Sequence, residues 1–208
     1  MSVHVINFYW SLSNSDAWFG DGRESELLQF ILHHPNVDEF RGNPQKILDA
    51  IDEFGRNRKY LMNIGAYKSK TVIELIKTRK SVVMVELGGY VGYSAIAFAE
   101  ALRDIGGNVY YSLEKSVEFG EVIEKLVDLA GLAGIVKVVI VSSSDSLRRL
   151  HSNGVLAHID LLFLDHVKSL YTDDLKICEE LGLIGADSVL AAHNGEPTSP
   201  PLLALRRA

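Results

Sequence analysis

Residues 82–94, VVMVELGGYVGYS, constrain the fold of this chain more than any other part of its sequence. The stretch begins with an apolar, largely β-branched run, passes through three closely spaced glycines and leads into the helix-favouring residues 94–99. This order predicts a buried strand, a tight turn and the start of a helix. Glycines in such a turn let the backbone bend sharply and approach a ligand without a Cβ atom in the way. The free N–H groups at the start of the helix would face a polar or anionic ligand.

A second apolar segment, residues 109–113, ends in Glu114, which lies 22 positions after Gly92. In nucleotide-binding folds an acid at about this spacing binds the ribose hydroxyls, and one carboxylate can accept both hydroxyl hydrogens. The segments therefore predict a nucleotide-type ligand above the glycine turn. The alternative is an ordinary strand–helix–strand crossover that binds no ligand.

Composition argues against several classes of protein. At 208 residues, with 47% hydrophobic and 23% charged residues, the chain has the composition of one globular domain, which we expect to span residues 1–208. A net charge of −6 gives no electrostatic basis for binding nucleic acid. The single cysteine, Cys178, permits no internal disulfide, and no apolar run is long enough to cross a membrane. We therefore expect a cytoplasmic protein without nucleic-acid or membrane partners.

The first 80 residues are predicted to form an N-terminal helical cap. Helices are expected over residues 23–34, from Pro44 to about Gly55, and over about 68–78. The second of them has the strongest start signal, because Asn43 can cap it and Pro44 suits its first turn. Residues 1–22 show no clear pattern and are left unassigned.

From residue 82 onward strands and helices alternate, which predicts a parallel, doubly wound α/β sheet over residues 81–194. Ligands of such sheets lie beyond the carboxyl ends of the strands. Residues 195–208 hold three of the five prolines and are expected to form an irregular tail. The predicted strand ends bring unusual polar residues to one edge of the sheet: Glu86, Glu114, Ser142 to Asp145, Asp165, His166, His193 and Asn194.

These segments resemble the catechol O-methyltransferases. The resemblance extends over roughly residues 23–194 and rests on NPQKILDAID at 43–52, MNIG at 62–65 with Lys68, VELGGYVGYSA at 85–95, FLDHVK at 163–168 and VLAAHN at 189–194. It implies the S-adenosylmethionine-dependent methyltransferase variant of the Rossmann fold, and a small catechol-type substrate.

The resemblance also implies roles for individual residues. The catalytic lysine of the family falls on Lys168, and the family's metal ligands fall on Asp165, His193 and Asn194. The cofactor contacts of the family fall on Met62, Ile64, Glu86, Gly88, Tyr90, Ser94, Glu114, Ser144, Asp145 and His166.

The chemistry of Asp165 and Asn194 suits Mg²⁺, because both offer hard oxygen ligands. Such a metal would hold the two vicinal oxygens of a catechol and lower the pKa of one of them, and Lys168 could accept the proton. The family has aspartate at position 193, and histidine there favours Mn²⁺ or another transition ion. Taken alone, Asp165 could also be a helix cap, Lys168 a solvated lysine and His193 an ordinary histidine at the sheet edge.

The resemblance implies about two further strands and a helix after Asn194, and residues 195–208 match neither. We therefore expect the C-terminal strand pair to be missing and the outer edge of the last strand to lie uncovered, which would favour self-association. An alternative function is a cofactor-binding but catalytically impaired form, truncated or a pseudoenzyme. A weaker alternative is a nicotinamide-dependent oxidoreductase, against which the absence of a G-x-G-x-x-G match counts.

Overall fold

The computed structural model of the chain describes residues 4–8 and 19–193. Its strands form one sheet in which every pairing is parallel, with the order β1-β6-β5-β2-β3-β4. The strands are β1 His4–Phe8, β2 Val83–Leu87, β3 Val109–Glu114, β4 Val136–Ile140, β5 Leu161–Leu164 and β6 Val189–His193.

Among the described residues, four helices lie between β1 and β2, and the others connect the later strands. The helices are α1 Arg23–Leu32, α2 Val37–Phe40, α3 Pro44–Asn57, α4 Gly65–Arg79, α5 Tyr93–Asp104, α6 Val117–Leu129, α7 Ser143–Ser152 and α8 Tyr171–Glu180, with a 3-10 turn at Lys168–Leu170.

The sequence analysis identified the three long helices of the N-terminal cap, α1, α3 and α4, and missed the short helix α2. The α3 start is confirmed, because the Asn43 side chain accepts a hydrogen bond from the backbone N–H of Lys46 at 3.2 Å. The helix continues through Gly55, however, since the buried Phe54 holds that turn against the core and one glycine costs only about 1 kcal/mol. Helix α2 has four residues and is too short to show a helical period.

The direction of chain progression through the sheet reverses between β2 and β5. From β2 the sheet extends to β3 and β4 on one side and to β5 and β6 on the other. Ligands of open α/β sheets bind at such a reversal, beyond the carboxyl ends of the strands. The predicted doubly wound sheet is therefore confirmed, and its switch point lies where the glycine turn follows β2.

Two apolar layers enclose the sheet, because alternate residues of each strand point to opposite faces. On one face Met84, Tyr110 and Phe163 pack against α1, α3, α4, α5 and α6. On the other face Val85 and Leu162 pack with residues of α7 and α8. None of the helices in residues 19–193 combines the length and the apolarity needed to cross a membrane.

The expectation of an uncovered edge beside the last strand is wrong. Strand β1 pairs with β6 in parallel, from His4 opposite Val189 to Phe8 opposite His193. The backbone groups on the outer side of β6 are thus engaged by a segment that the sequence left unassigned. Residues 195–208 lie outside the described part of the chain, and self-association stays a prediction.

Candidate active site

The turn after β2 approaches the end of β5 so closely that only glycine fits at its first position. Gly88 has a φ of +93°, and a Cβ atom built there would lie 2.8 Å from the carbonyl oxygen of Asp165 and 2.9 Å from Cα of His166. All of these neighbours are backbone atoms. The sequence predicted that glycine here lets the backbone approach a ligand, and the backbone that Gly88 approaches in the described chain is that of Asp165 and His166, directly after β5.

The side-chain carboxylate of Glu114 holds the glycine turn by accepting hydrogen bonds from the backbone of the turn. One carboxylate oxygen accepts hydrogen bonds from the N–H groups of Gly89 at 3.1 Å and Tyr90 at 2.9 Å, and the other accepts from Ser116 N–H at 2.8 Å. The residue is only 8% exposed. Tyr90 has a φ of +49°, which is uncommon for a residue other than glycine, and this carboxylate anchors it there.

Glu86 lies beneath the turn and is fully buried. Its carboxyl group accepts hydrogen bonds from the hydroxyls of Tyr110 and Ser112, the latter at 2.7 Å, and also interacts with Ser94. Burial raises the pKa of Glu86 to about 7, and these hydroxyls act in the opposite direction without cancelling it. Two residues predicted to contact the cofactor, Glu86 and Ser94, thus bind each other below the turn.

Tyr90 connects the turn to the N-terminal helices. Its hydroxyl donates to Glu24 of α1 at 2.8 Å, and its ring packs edge-on against Phe119 at 5.3 Å between centroids. Burial raises the pKa of Tyr90 well above its ordinary value. A small cavity of about 30 Å³ opens beside this connection, and its lining includes the predicted cofactor residues Met62, Ile64, Gly88, Tyr90 and Ser94 together with Asn63 and Asp165.

Three side chains from α4, β6 and the end of β5 form a hydrogen-bonded chain beside this cavity. Nδ1 of His193 lies 2.7 Å from Oδ1 of Asp165, and Nε2 of His193 lies 2.7 Å from Nζ of Lys68. A protonated lysine can only donate. Nε2 therefore accepts from Lys68, and Nδ1 carries the hydrogen that is donated to Asp165.

Burial perturbs both ends of this chain. It raises the pKa of the Asp165 carboxyl, and the hydrogen bond from His193 opposes the increase. It lowers the pKa of Lys68, and the nearby Asp165 carboxylate opposes the decrease. The hydroxyl of Tyr171 lies 3.0 Å from the carbonyl oxygens of both Leu164 and His193, so it holds the ends of β5 and β6 together.

His166 belongs to a second network on the other side of the switch point. Its Nε2 lies 2.9 Å from the buried carboxylate of Asp174, which also accepts hydrogen bonds from the hydroxyls of Ser143 and Ser144. Its ring stacks on Tyr171. Nδ1 of His166 is buried and has no hydrogen-bond partner among residues 19–193, so it is free to bind a ligand.

The remaining predicted residues lie at the periphery of this site. Asp145 is exposed and accepts a hydrogen bond from the Ser142 hydroxyl at 2.6 Å at the start of α7. Lys168 is exposed on the 3-10 turn that follows β5. Asn194 lies outside the described residues.

Sequence reasoning missed the roles of Lys68 and Asp174. Lys68 was recognised only as part of the resemblance, and its contact lies 125 positions away. Asp174 lies in the first turn of α8, which begins at Tyr171, whereas the sequence alone predicts that helix only over residues 175–181. The signal that could have found it is its spacing of three and four positions from the apolar Ile177 and Cys178, which puts Asp174 on the apolar face of the helix.

Comparison with known proteins identifies the family. Residues 85–194 match the profile of the family described as "Methyltransferase domain". Catechol O-methyltransferase of Mus musculus is 31% identical over 189 residues, which cover 90% of this chain and 69% of that protein. This chain belongs to the catechol O-methyltransferase family. The Bos taurus enzyme is also 31% identical, over 175 residues that cover 84% of this chain. The chain spans only 62% of the length of that relative.

Solved structures agree on the fold of this family member. An O-methyltransferase from Bacillus cereus in complex with SAH superposes with a TM-score of 0.57 at 18% identity, covering 70% of each chain. An SAH-bound methyltransferase from Podospora anserina gives a TM-score of 0.57 at 20% identity, covering 86% of this chain and 72% of its own. Likeness at this identity confirms the methyltransferase type of Rossmann-like sheet.

Proposed function

We propose that this chain transfers a methyl group from S-adenosylmethionine to a hydroxyl oxygen of a small catechol-type substrate. The observation that carries the proposal is the contact between the Gly88 turn and Asp165 at the switch point, in a chain of the catechol O-methyltransferase family. The proposal includes action in the cytoplasm, which suits the free, buried Cys178.

The residues around the switch point suit a nucleoside ligand. Gly88 exposes backbone without a side chain, Met62 and Ile64 offer an apolar wall, and His166 offers a buried nitrogen without a partner. S-adenosylmethionine would supply a methyl group on a positively charged sulfur. Glu114 would act on this ligand in two ways, because it holds the turn in place and retains lone pairs that could accept from ribose.

In the proposed reaction the acceptor hydroxyl gives its proton to the neutral amine form of Lys168, which is exposed beside the end of β5. The oxygen then attacks the methyl carbon as the carbon–sulfur bond breaks, and sulfur keeps the electron pair. Asp165 and the turn would hold the two reactants in line, so that catalysis is mainly positioning.

The divalent metal implied by the family does not fit the arrangement of the residues that are described. Oδ1 of Asp165 and Nδ1 of His193 bind each other, and Nε2 of His193 faces the Lys68 ammonium. Among the side chains of residues 19–193, no group of three or more His, Cys, Asp or Glu is placed to hold a metal. The reaction above therefore uses only groups of this chain.

A binding and turnover experiment tests the proposal. Calorimetry of the full chain with S-adenosylmethionine should give saturable binding, and mass spectrometry should detect methylated catechol after incubation with both compounds. Binding without methyl transfer would favour the cofactor-binding, impaired alternative. No binding by a folded chain would contradict both.

Replacing Glu114 with alanine should weaken the binding of S-adenosylmethionine by about 1.5–3 kcal/mol, the range for hydrogen bonds to a charged group. The loss arises because the ribose hydroxyls lose the carboxylate proposed to accept from them, and because the amides of Gly89 and Tyr90 lose their common acceptor. Calorimetry of the variant measures the effect. Glu121→Ala removes an exposed carboxylate on neighbouring α6 and should leave affinity unchanged. Equal affinity of the Glu114 variant and the wild type would remove Glu114 from the site.

A further inference from the structure

We propose that the Lys68 ammonium supplies the positive charge at the acceptor oxygen, at the place where the family's metal would act, so that the chain needs no divalent cation. This inference rests on the proposed function. Lys68 would be the catalytic group, and His193 and Asp165 would be positioning residues that hold it. The hydrogen-bonded chain of Lys68, His193 and Asp165 carries the inference.

The first step concerns the single lone pair on Nε2 of His193. Because Nδ1 donates to Asp165, Nε2 is the ring's only acceptor, and the Lys68 ammonium lies 2.7 Å from it. A metal ion would need that same lone pair. The ammonium and a metal ion therefore exclude each other at this nitrogen.

The second step concerns charge. Histidine at position 193 removes one negative charge relative to aspartate, and the charges that remain, the Asp165 carboxylate and the Lys68 ammonium, then balance each other without a divalent ion. The group formed by Lys68, His193 and Asp165 is thus electrically balanced. A single change to histidine with a divalent ion still in place would leave an excess positive charge beside a sulfonium.

The third step concerns donors. A lysine ammonium has three N–H groups, and His193 takes one of them. The two others can donate to the vicinal oxygens of a catechol. In the proposed reaction the acceptor proton passes to the neutral amine form of Lys168, and the developing phenolate accepts a hydrogen bond from Lys68. That oxygen then bonds to the methyl carbon while the carbon–sulfur pair moves to sulfur.

The fold supports this placement of Lys68. The residue lies in the first turns of α4, directly after the Met62–Ile64 segment that lines the cavity, and its side chain is half-buried. Its hydrogen-bond partner His193 is held in turn, since the hydroxyl of Tyr171 lies 3.0 Å from the carbonyl oxygens of both Leu164 and His193. The ammonium is therefore fixed beside the switch point.

Titration of the full chain with Mn²⁺, followed by electron paramagnetic resonance, tests the exclusion of metal independently of turnover. The wild type should show no saturable site below about 1 mM, a weak affinity by the standards of protein cation sites. The double variant Lys68→Met/His193→Asp should bind Mn²⁺ at least about tenfold more tightly, because it removes the ammonium and adds a hard oxygen ligand. Lys70→Met, which removes an exposed lysine of the same helix, should behave as wild type.

Turnover provides the second readout. Methyl transfer by the wild type should persist in excess EDTA, and Lys68→Met should lower kcat on the order of a hundredfold, the effect of removing one donor to a developing oxyanion. Its affinity for S-adenosylmethionine should be unchanged, and Lys68→Arg should recover part of kcat. Melting temperatures identify any variant that fails to fold.

Two results would overturn the inference: saturable Mn²⁺ binding by the wild type at micromolar concentration, or loss of turnover in EDTA. If no catechol is methylated by the wild type under any condition, the proposed function fails. The Mn²⁺ titration still decides whether Lys68 excludes a metal.

Discussion

Replacing Gly88 with alanine is expected to destabilise the chain by about 3 kcal/mol and to abolish the binding of S-adenosylmethionine. Two costs combine: a positive φ that a Cβ atom strains, and overpacking against a neighbour that cannot move aside. The new Cβ would lie 2.8 Å from the carbonyl oxygen of Asp165, and relief would require the ends of β2 and β5 to separate. Urea unfolding followed by circular dichroism measures the stability, and calorimetry measures the binding.

Gly106→Ala is the matched control for this prediction. Gly106 also has a positive φ, of +79°, but a Cβ atom there would meet nothing within 4 Å. Gly106→Ala should lower the free energy of unfolding by about 1 kcal/mol, the strain of a left-handed backbone conformation, and should leave the affinity for S-adenosylmethionine unchanged. Equal losses for the two variants would mean that the close approach of Gly88 to Asp165 contributes nothing.

The glycine turn could be predicted because its signal is local. An apolar run, clustered glycines and a helix start occur within thirteen residues, and each follows from the conformational preferences of the residues themselves. What Gly88 approaches could not be predicted in this way. Its neighbour Asp165 lies 77 positions later, and only the strand order places β5 beside β2.

Contacts between distant segments account for most of what the sequence did not reveal. The pairing of β1 with β6 joins the two ends of the described chain, and five residues without a turn signal do not identify a strand. The contact of Lys68 with His193 likewise depends on the position of the start of α4 relative to the end of β6, which the sequence does not show. The family resemblance indicated that position 193 was unusual, but the side chain that faces it was visible only in three dimensions.

The alternation of side chains along β2 predicts a buried position for Glu86. The sequence analysis instead placed Glu86 at the ligand-binding edge of the sheet, because it lies near the end of its strand. Because side chains alternate along a strand, Glu86 shares the face of Met84, which packs under α5 and α6. Its neighbour Leu87 points to the opposite face. The alternation therefore places the Glu86 carboxyl on the face of the sheet that α5 and α6 cover, where the hydroxyls of Tyr110 and Ser112 are its hydrogen-bond partners.

The second large effect expected is a dependence of stability on pH that Glu86→Gln should remove. The pKa of the buried carboxyl is raised from its ordinary value of 4.5 to about 7. A raised pKa means that the folded state binds the proton more tightly than the unfolded state. The stabilisation is therefore complete below pH 4.5 and is lost as the pH rises through 7. At about 1.4 kcal/mol per pH unit this amounts to about 3 kcal/mol.

Between pH 5 and pH 8, the free energy of unfolding of the wild type should fall by about 2 to 3 kcal/mol more than that of the Gln variant. Glutamine keeps the shape and the hydrogen-bonding capacity of the neutral carboxyl, so Tyr110 and Ser112 retain a partner. Urea unfolding at the two pH values measures the difference, and Glu74→Gln, an exposed change on α4, should follow the wild type. Parallel pH profiles for the wild type and the Glu86 variant would show that this carboxyl is already ionised in the folded chain. In that case the hydroxyls around it would be stabilising the charged form, and burial would not be the dominant influence on its proton.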